Sequence, residues 1–334
     1  MPKTYELTGL GNAIVDVIAK VEESFLADYE ITKGSMTLID ETRAKGLYDA
    51  LGVAHEVSGG SAANTMAGFA SFGGKGAFMG KVANDQLGGI FTHDMRAEGV
   101  HFATPPLANG PETARCMIVV TPDAQRSMST YLGASVEFSE SDVDEALIAD
   151  SQIIYLEGYL FDKDAAKKAY YRATKAAKAA GTKVALSLSD SFCVDRHRAD
   201  FLKLIENDVD ILFANEAEIL SLFQTKSFEE AATQIKGKCE VAVLTRSEKG
   251  SVIVSASENI SVAIQPVADV MDTTGAGDQY AAGFLFGYAR NMPLARCGAL
   301  GSLAAAEVIS HIGPRPETSL AKLAHEKLGL PQAA

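Results

Sequence analysis

Five short apolar runs, residues 76–82, 152–156, 184–188, 211–214 and 241–244, recur along the chain without the polar alternation of a half-solvated strand. Runs of that length and composition predict strands covered on both faces. Between them, apolar residues fall at helical spacing over 61–71, 86–98, 163–180, 228–236, 276–291 and 294–310. Strands alternating with helices predict a doubly wound, mostly parallel sheet flanked by helices. A second group of segments breaks the alternation. Residues 14–21, 36–39, 101–103, 114–120 and 127–131 are short, β-prone and bounded by turn residues, which predicts a small antiparallel sheet beside the large one. The lysine- and alanine-rich stretch 163–180 reads as a surface helix with a solvated charged face.

Composition narrows this picture. The chain has 334 residues, 47% hydrophobic and 22% charged, enough to build one large α/β core over 1–334. A formal net charge of −13 argues against nucleic acid or an anionic membrane as a partner, because both attract basic patches. The first residues lack the apolar core of a signal peptide and no apolar run has membrane-spanning length, which predicts cytoplasmic residence. Cys116, Cys193, Cys239 and Cys297 lie far apart with no CxxC, so neither a zinc site nor a redox pair is indicated. The six histidines also lack metal-ligand spacing.

Chemistry concentrates at Asp272-Thr273-Thr274-Gly275-Ala276-Gly277-Asp278. An apolar helical run follows, so Gly275, Ala276 and Gly277 fall at a helix N-terminus, with N–H groups free to face an anion. Asp278, just inside that helix, is placed to act as general base toward an alcohol while the helix end stabilises a transferring phosphoryl group. The spacing is neither GxxxxGK[ST] nor GxGxxG, so a Walker site and a dinucleotide fingerprint both fit poorly. A second glycine-opened helix begins at Gly59-Gly60-Ser61-Ala62-Ala63-Asn64. Upstream, Asn12 and Asp16 follow the first strand as a polar pair suited to vicinal hydroxyls. Asn215-Glu216-Ala217-Glu218 directly follows the apolar strand at 211–214, where Asn215 and Glu218 are able to orient a hydrated magnesium ion.

In this order, GN…D, GGS..N, NxxE and DTTGAGD, the motifs resemble the ribokinase-like (PfkB) family of carbohydrate and nucleoside kinases over nearly the whole chain. The stretches around Gly9 to Asn12 and Val209 to Glu216 look most like its adenosine kinases. The resemblance implies ATP as donor, Mg²⁺ as cofactor and a primary hydroxyl as acceptor. It implies Asp278 as base, Gly275, Ala276 and Gly277 as anion hole, and Asn215 with Glu218 as the magnesium and phosphate motif. It places Asn12, Asp16, Gly60, Ser61 and Asn64 at the acceptor, and Arg126 over the phosphates on closure. Segments of about 12–40 and 101–132 become a lid over the acceptor, whose closing excludes water. Thr245 and Gly250, in Thr245-Arg246-Ser247-Glu248-Lys249-Gly250, resemble the turn beside the adenosine of ATP.

Two departures bear on the acceptor. Thr274 stands where adenosine kinases often carry Asn, and Glu157 where they tend to have a small residue; both look more like the sugar kinases. Tyr159 and Phe192 sit where adenosine kinases place aromatic rings suited to stacking on a purine. Glu157 is open between polar rim and acceptor contact, and Asp272 between a monovalent cation (K⁺) ligand and a turn or helix-capping aspartate. The expected activity is phosphorylation of a ribonucleoside 5′-hydroxyl. A kinase of free sugars such as ribose or fructose is the alternative, and a silent binding protein of the same fold a third reading. A monomer and a homodimer are both open.

Overall fold

A computed structural model describes residues 3–123 and 125–331. In chain order its strands are β1 (Tyr5–Leu10), β2 (Ile14–Lys20), β3 (Met36–Leu38), β4 (His55–Gly59), β5 (Gly76–Met79), β6 (His101–Phe102), β7 (Ala114–Val120), β8 (Arg126–Tyr131), β9 (Ser151–Glu157), β10 (Lys183–Ser187), β11 (Ile211–Asn215), β12 (Val241–Thr245), β13 (Ser251–Ser255) and β14 (Asn259–Val262). The large sheet has the order β14-β13-β12-β11-β10-β9-β1-β5-β6. From β12 to β6 every neighbouring pair is parallel, and β13 and β14 close one edge as an antiparallel hairpin.

The apolar runs are explained by burial on both sides. Along β9, Ile153 and Tyr155 belong to one core, while Ile154 and Leu156 belong to the other. Phe213 and Val243 point to the first core, Leu212 and Leu244 to the second. Each such side chain contributes about 1.5–3 kcal/mol when removed from water, so no polar residue is tolerated at these positions. Helices Ser61–Ser71, Ala276–Ala289 and Leu294–Val308 cover the first face, with Phe69, Phe284 and Leu300 buried under them. Asp164–Ala180 and Ser191–Asn207 cover the second, with Tyr170 and Phe201 buried. The helix Ser191–Asn207 was not anticipated; its backbone breaks at His197 (φ −123°), which interrupts the helical repeat.

The small sheet has the order β3-β8-β7-β2-β4. Its antiparallel pairs are β7–β8 and β2–β4, and it adds the parallel pairs β2–β7 and β3–β8. One predicted member is misplaced: His101–Phe102 pairs with β5 at the edge of the large sheet, not with the small one. Phe102 packs on Phe78 and Phe91 in the first core, and that burial decides which sheet the two residues join. β4 was not anticipated and takes an edge of the small sheet instead. One face of the small sheet, from Met117 and Tyr131, is sealed by Ala44 and Leu47 of the helix Glu41–Ala50. The opposite face looks toward the carboxyl edge of the large sheet. Among the described residues no helix is long and apolar enough to cross a membrane.

Candidate active site

The carboxyl ends of the parallel strands deliver polar groups to one cleft of about 650 Å³. β1 runs into Asn12, β9 ends at Glu157, β11 at Asn215 and β12 at Thr245, and the small sheet faces them with Ile14, Asp16, Ile118 and Met128. The cleft opens beside β1, where strand order reverses, the usual ligand position of a doubly wound sheet.

Two helices begin at this cleft, and each is entered through a glycine that nothing else replaces. Gly60 has φ +95°, and a Cβ there would lie 2.3 Å from the Asn12 carbonyl oxygen. Gly275 has φ +79°, and its Cβ would lie 2.7 Å from Pro314 Cα. Both are therefore left-handed positions packed against backbone, which only glycine fits. The two N-termini converge: Ser61 Oγ donates to Asp278 Oδ1 at 2.6 Å, and the Asn64 side chain helps to hold the same carboxyl down. The N–H groups of the first turn at 276–278 have no acceptor within the helix, except that Ala276 closes a turn onto the Thr273 carbonyl. Gly277 faces open space.

Burial pushes the Asp278 carboxyl up to about 7; Glu157 and Asp16 add to the rise, while the Ser61 and Asn64 bonds oppose it. A base poised there accepts a proton at neutral pH and releases it readily. The same shift has a consequence for stability. A carboxyl whose folded pKa is raised binds its proton more tightly in the fold than in the unfolded chain. Its stabilising contribution is complete below the ordinary carboxylate range and is lost progressively as pH rises through about 7. Replacing Asp278 by Asn removes that loss. The Tm of Asp278→Asn should exceed that of the wild type by a margin that is larger at pH 8 than at pH 5, as calorimetry would read; equal margins at both pH values would contradict the shift.

Asn12 and Asp16 take different positions. Glu157 is 1% exposed; its Oε1 accepts from the Asn12 backbone N–H (3.3 Å) and side-chain amide (2.7 Å), and its Oε2 from the Ala62 N–H (2.8 Å). Glu157 lines the cleft, and its carboxylate is held by protein donors, so that it anchors Asn12 and the start of the helix Ser61–Ser71. With its nitrogen so engaged, Asn12 keeps a buried Oδ1 without a hydrogen-bond partner. Asp16 lines the cleft beside it; burial, offset by the charges of Arg315 and Arg126, lifts its carboxyl to about 6.

Other expected residues are partly redirected. Asn215 and Glu218 bond to each other as a reciprocal helix cap, with Glu218 N–H to Asn215 Oδ1 at 2.9 Å and Asn215 N–H to Glu218 Oε2 at 2.8 Å. Glu218 is buried and still lines the cleft, its carboxyl pushed up to about 7 by burial and by Asp190 and Asp278 against the Asn215 N–H. Asp272 accepts from the Thr274 N–H (3.0 Å) and hydroxyl (2.7 Å), from the Gly313 N–H (3.0 Å) and from Arg126. Burial opposes these donors, yet together they hold its carboxyl below the usual range. Asp272 thus ties the Thr274 turn to the 313 loop and to Arg126. Arg126, reaching over from β8, pairs with Asp272 and leaves Nε and Nη2 buried without partners.

Tyr159 is tied by its hydroxyl to the Ser189 carbonyl at 3.2 Å, whereas Phe192 is 74% exposed at the cleft rim. Thr245 lines the cleft; Gly250 lies in the turn behind it, where its carbonyl accepts from the Arg246 N–H, and is not among the lining residues. Sequence reasoning passed over Arg315, which donates to Asn64, and the apolar small-sheet face. A Gly-Pro-Arg-Pro run at 313–316 marks a turn, but a lone arginine carries no signal of its partner. Among the described residues no group of three His, Cys, Asp or Glu is placed to hold a metal. The donor set at Asn215 and Glu218 fits an ion carried by phosphates and water, with Glu218 acting through water.

Residues 41–320 match the pfkB family carbohydrate kinase profile. The chain is 52% identical to the adenosine kinase from Sinorhizobium meliloti, with a TM-score of 0.89 and coverage of 97% of this chain and 99% of that one. It is 50% identical to a probable sugar kinase protein from Rhizobium etli CFN 42, with a TM-score of 0.90 over 98% and 99% of the two chains. Anopheles gambiae adenosine kinase in complex with P1,P4-di(adenosine-5) tetraphosphate shares 25% identity and a TM-score of 0.79 over 92% and 96%.

Proposed function

Because this chain belongs to the pfkB family of carbohydrate kinases, we propose that it transfers the γ-phosphoryl group of ATP to the 5′-hydroxyl of a ribonucleoside, with adenosine the first acceptor to try. The observation that carries the acceptor is the two-sided cleft. Asn12 with its unpartnered Oδ1, Asp16 and Asn64 form a polar end near Asp278, while Met36, Leu38, Ile118 and Met128 on the small sheet form an apolar wall. Met36 and Leu38 are 49% and 55% exposed, apolar surface that a flat base would cover. A ribose with a base attached matches both ends; a free sugar leaves the apolar wall wet.

The two residues that favoured a free sugar are engaged with protein: Glu157 with Asn12 and Ala62, Thr274 with Asp272. The free-sugar reading is kept because the Rhizobium etli protein carries that name.

In the proposed reaction Asp278 takes the proton of the acceptor hydroxyl as its oxygen attacks the γ-phosphorus, whose bond to the β,γ-bridging oxygen breaks and leaves ADP. The first-turn N–H groups at 276–278 stabilise the three equatorial phosphoryl oxygens. Asn12, Asp16, Gly60, Ser61 and Asn64 hold the ribose or the base that acts on it, and the small sheet shields the site from water. Tyr159 and Phe192 are proposed at the purine, Thr245 at the nucleotide. Glu218 and Asn215 are the proposed residues toward Mg²⁺, which, bound with ATP, neutralises charge on the phosphate oxygens. Arg126 must exchange Asp272 for phosphate.

A panel of nucleosides and free sugars, followed by ADP release with Mg²⁺ and ATP, tests this. Adenosine or another ribonucleoside should give the highest kcat/KM; turnover restricted to ribose or fructose overturns the nucleoside assignment. Binding of nucleoside and ATP without any turnover would leave only the silent binding protein.

A further inference from the structure

Arg315 lies in the loop that follows the helix Leu294–Val308, outside the cleft lining and 251 positions from Asn64 in sequence. Its side chain is 14% exposed, and its guanidinium reaches four groups: Nε donates to Asn64 Oδ1 (3.1 Å), Nη1 to Ser58 Oγ (2.6 Å) and to Glu98 Oε1 (2.8 Å), and Nη2 approaches Met95 Sδ (3.7 Å). The loop itself is fastened on both sides of the base. The Gly313 N–H bonds Asp272, and the Pro314 carbonyl accepts from Gln279 Nε2, whose other bond goes to the Asn64 carbonyl.

A guanidinium has donors only. An amide facing it must present oxygen, so its nitrogen is forced to the opposite side, and for Asn64 that side holds the Asp278 carboxylate. Asn64 is 5% exposed and has no room to reverse without bringing N–H against N–H. The Arg315 charge also works against the burial that raises the Asp16 carboxyl.

We infer that Arg315 is a positioning residue for phosphoryl transfer: it sets which way the Asn64 amide faces, and so which edge of that amide is turned toward Asp278. This rests on the kinase reading above and deepens it, since Arg315 acts on the proposed base and on an acceptor ligand without touching either substrate. Removing the fork frees the amide to rotate, and the edge it turns toward Asp278 is no longer fixed. Removing the charge leaves Asp16 faced by Arg126 from β8 as its remaining cation, against Asp278 from the helix Ala276–Ala289 and the Cys116 thiol from β7. The Asp16 carboxyl then rises, so a larger fraction is protonated at neutral pH.

The test compares Arg315→Met, which keeps the stem and loses donors and charge, with Arg315→Lys, which keeps the charge alone. Arg315→Met should lower kcat about 10-fold and raise the acceptor KM, while Arg315→Lys restores KM but not kcat, because an ammonium does not replace a planar fork. NMR titration of Asp16 in the isolated protein should show its carboxyl raised in Arg315→Met and needs no turnover. Melting curves separate loss of fold from loss of function. Wild-type kcat and an unmoved Asp16 titration in a folded Arg315→Met protein overturn the inference, and so do losses in both variants that merely track the folded fraction. A wild type inactive on every acceptor instead overturns the kinase reading, and the Asp16 titration still decides the role of Arg315.

Discussion

Asp278→Asn should lower kcat by at least about 10²-fold with little change in acceptor affinity, since the amide keeps the shape of the carboxylate and its hydrogen bond from Ser61 but cannot take a proton. Asn at this position still accepts from Ser61 Oγ through its carbonyl oxygen, so the helix start is retained. The effect belongs on kcat because the proton moves only as the oxygen–phosphorus bond forms. Steady-state kinetics in an ADP-release assay give the answer, and a loss below about 10-fold would move the base elsewhere. The wild-type acid limb should fall near the raised value of about 7 and vanish from the residual activity of the variant. Gain in Tm at high pH together with loss of turnover would identify one carboxylate as the source of both, the usual exchange between stability and activity at a functional site.

The second large effect is on folding. Glu157→Ala should destabilise the protein by about 3–5 kcal/mol, because three donors lose their acceptor at once and an unsatisfied buried donor costs about 1–3 kcal/mol. The donors are the two groups of Asn12 and the N–H of Ala62. Burial already raises the Glu157 carboxyl, so removing it also relieves some desolvation, which keeps the net below the simple sum. Glu157→Gln should lose less, since one oxygen still accepts from Asn12. Urea midpoints read both. An unchanged midpoint with a raised acceptor KM would return Glu157 to the role of acceptor contact.

The large sheet was legible because burial on both faces leaves no freedom in composition: β11 and β12 are read directly from Ile211 to Ala214 and Val241 to Leu244. The helix Ser61–Ser71 was legible for a different reason, a glycine entry followed by small residues that pack closely. His101–Phe102 was not, since two residues carry no periodicity and only the aromatic cluster with Phe78 and Phe91 assigns them to a sheet. In the site, Gly275 to Asp278 could be read because catalyst and cradle are contiguous. Asn215 and Glu218 were read for the ion they could hold, whereas their bonds to each other as a helix cap emerge only in the fold. Glu157 was invisible in its role because its partners lie 145 and 95 residues away. Pairings of that range are properties of the folded chain alone.

The loop at 313–315 joins the Asp272 turn, Gln279 and Asn64 only after everything before it has been made. A ribosome emitting this protein from its first residue would display every carboxylate of the cleft long before the strap that aligns them. Nascent chains ending ahead of residue 313 should therefore be idle whatever their compactness, and competence should arrive late, with the segment that leads into the last helix, Leu320–Leu328, as a last-step assembly rather than a gradual gain.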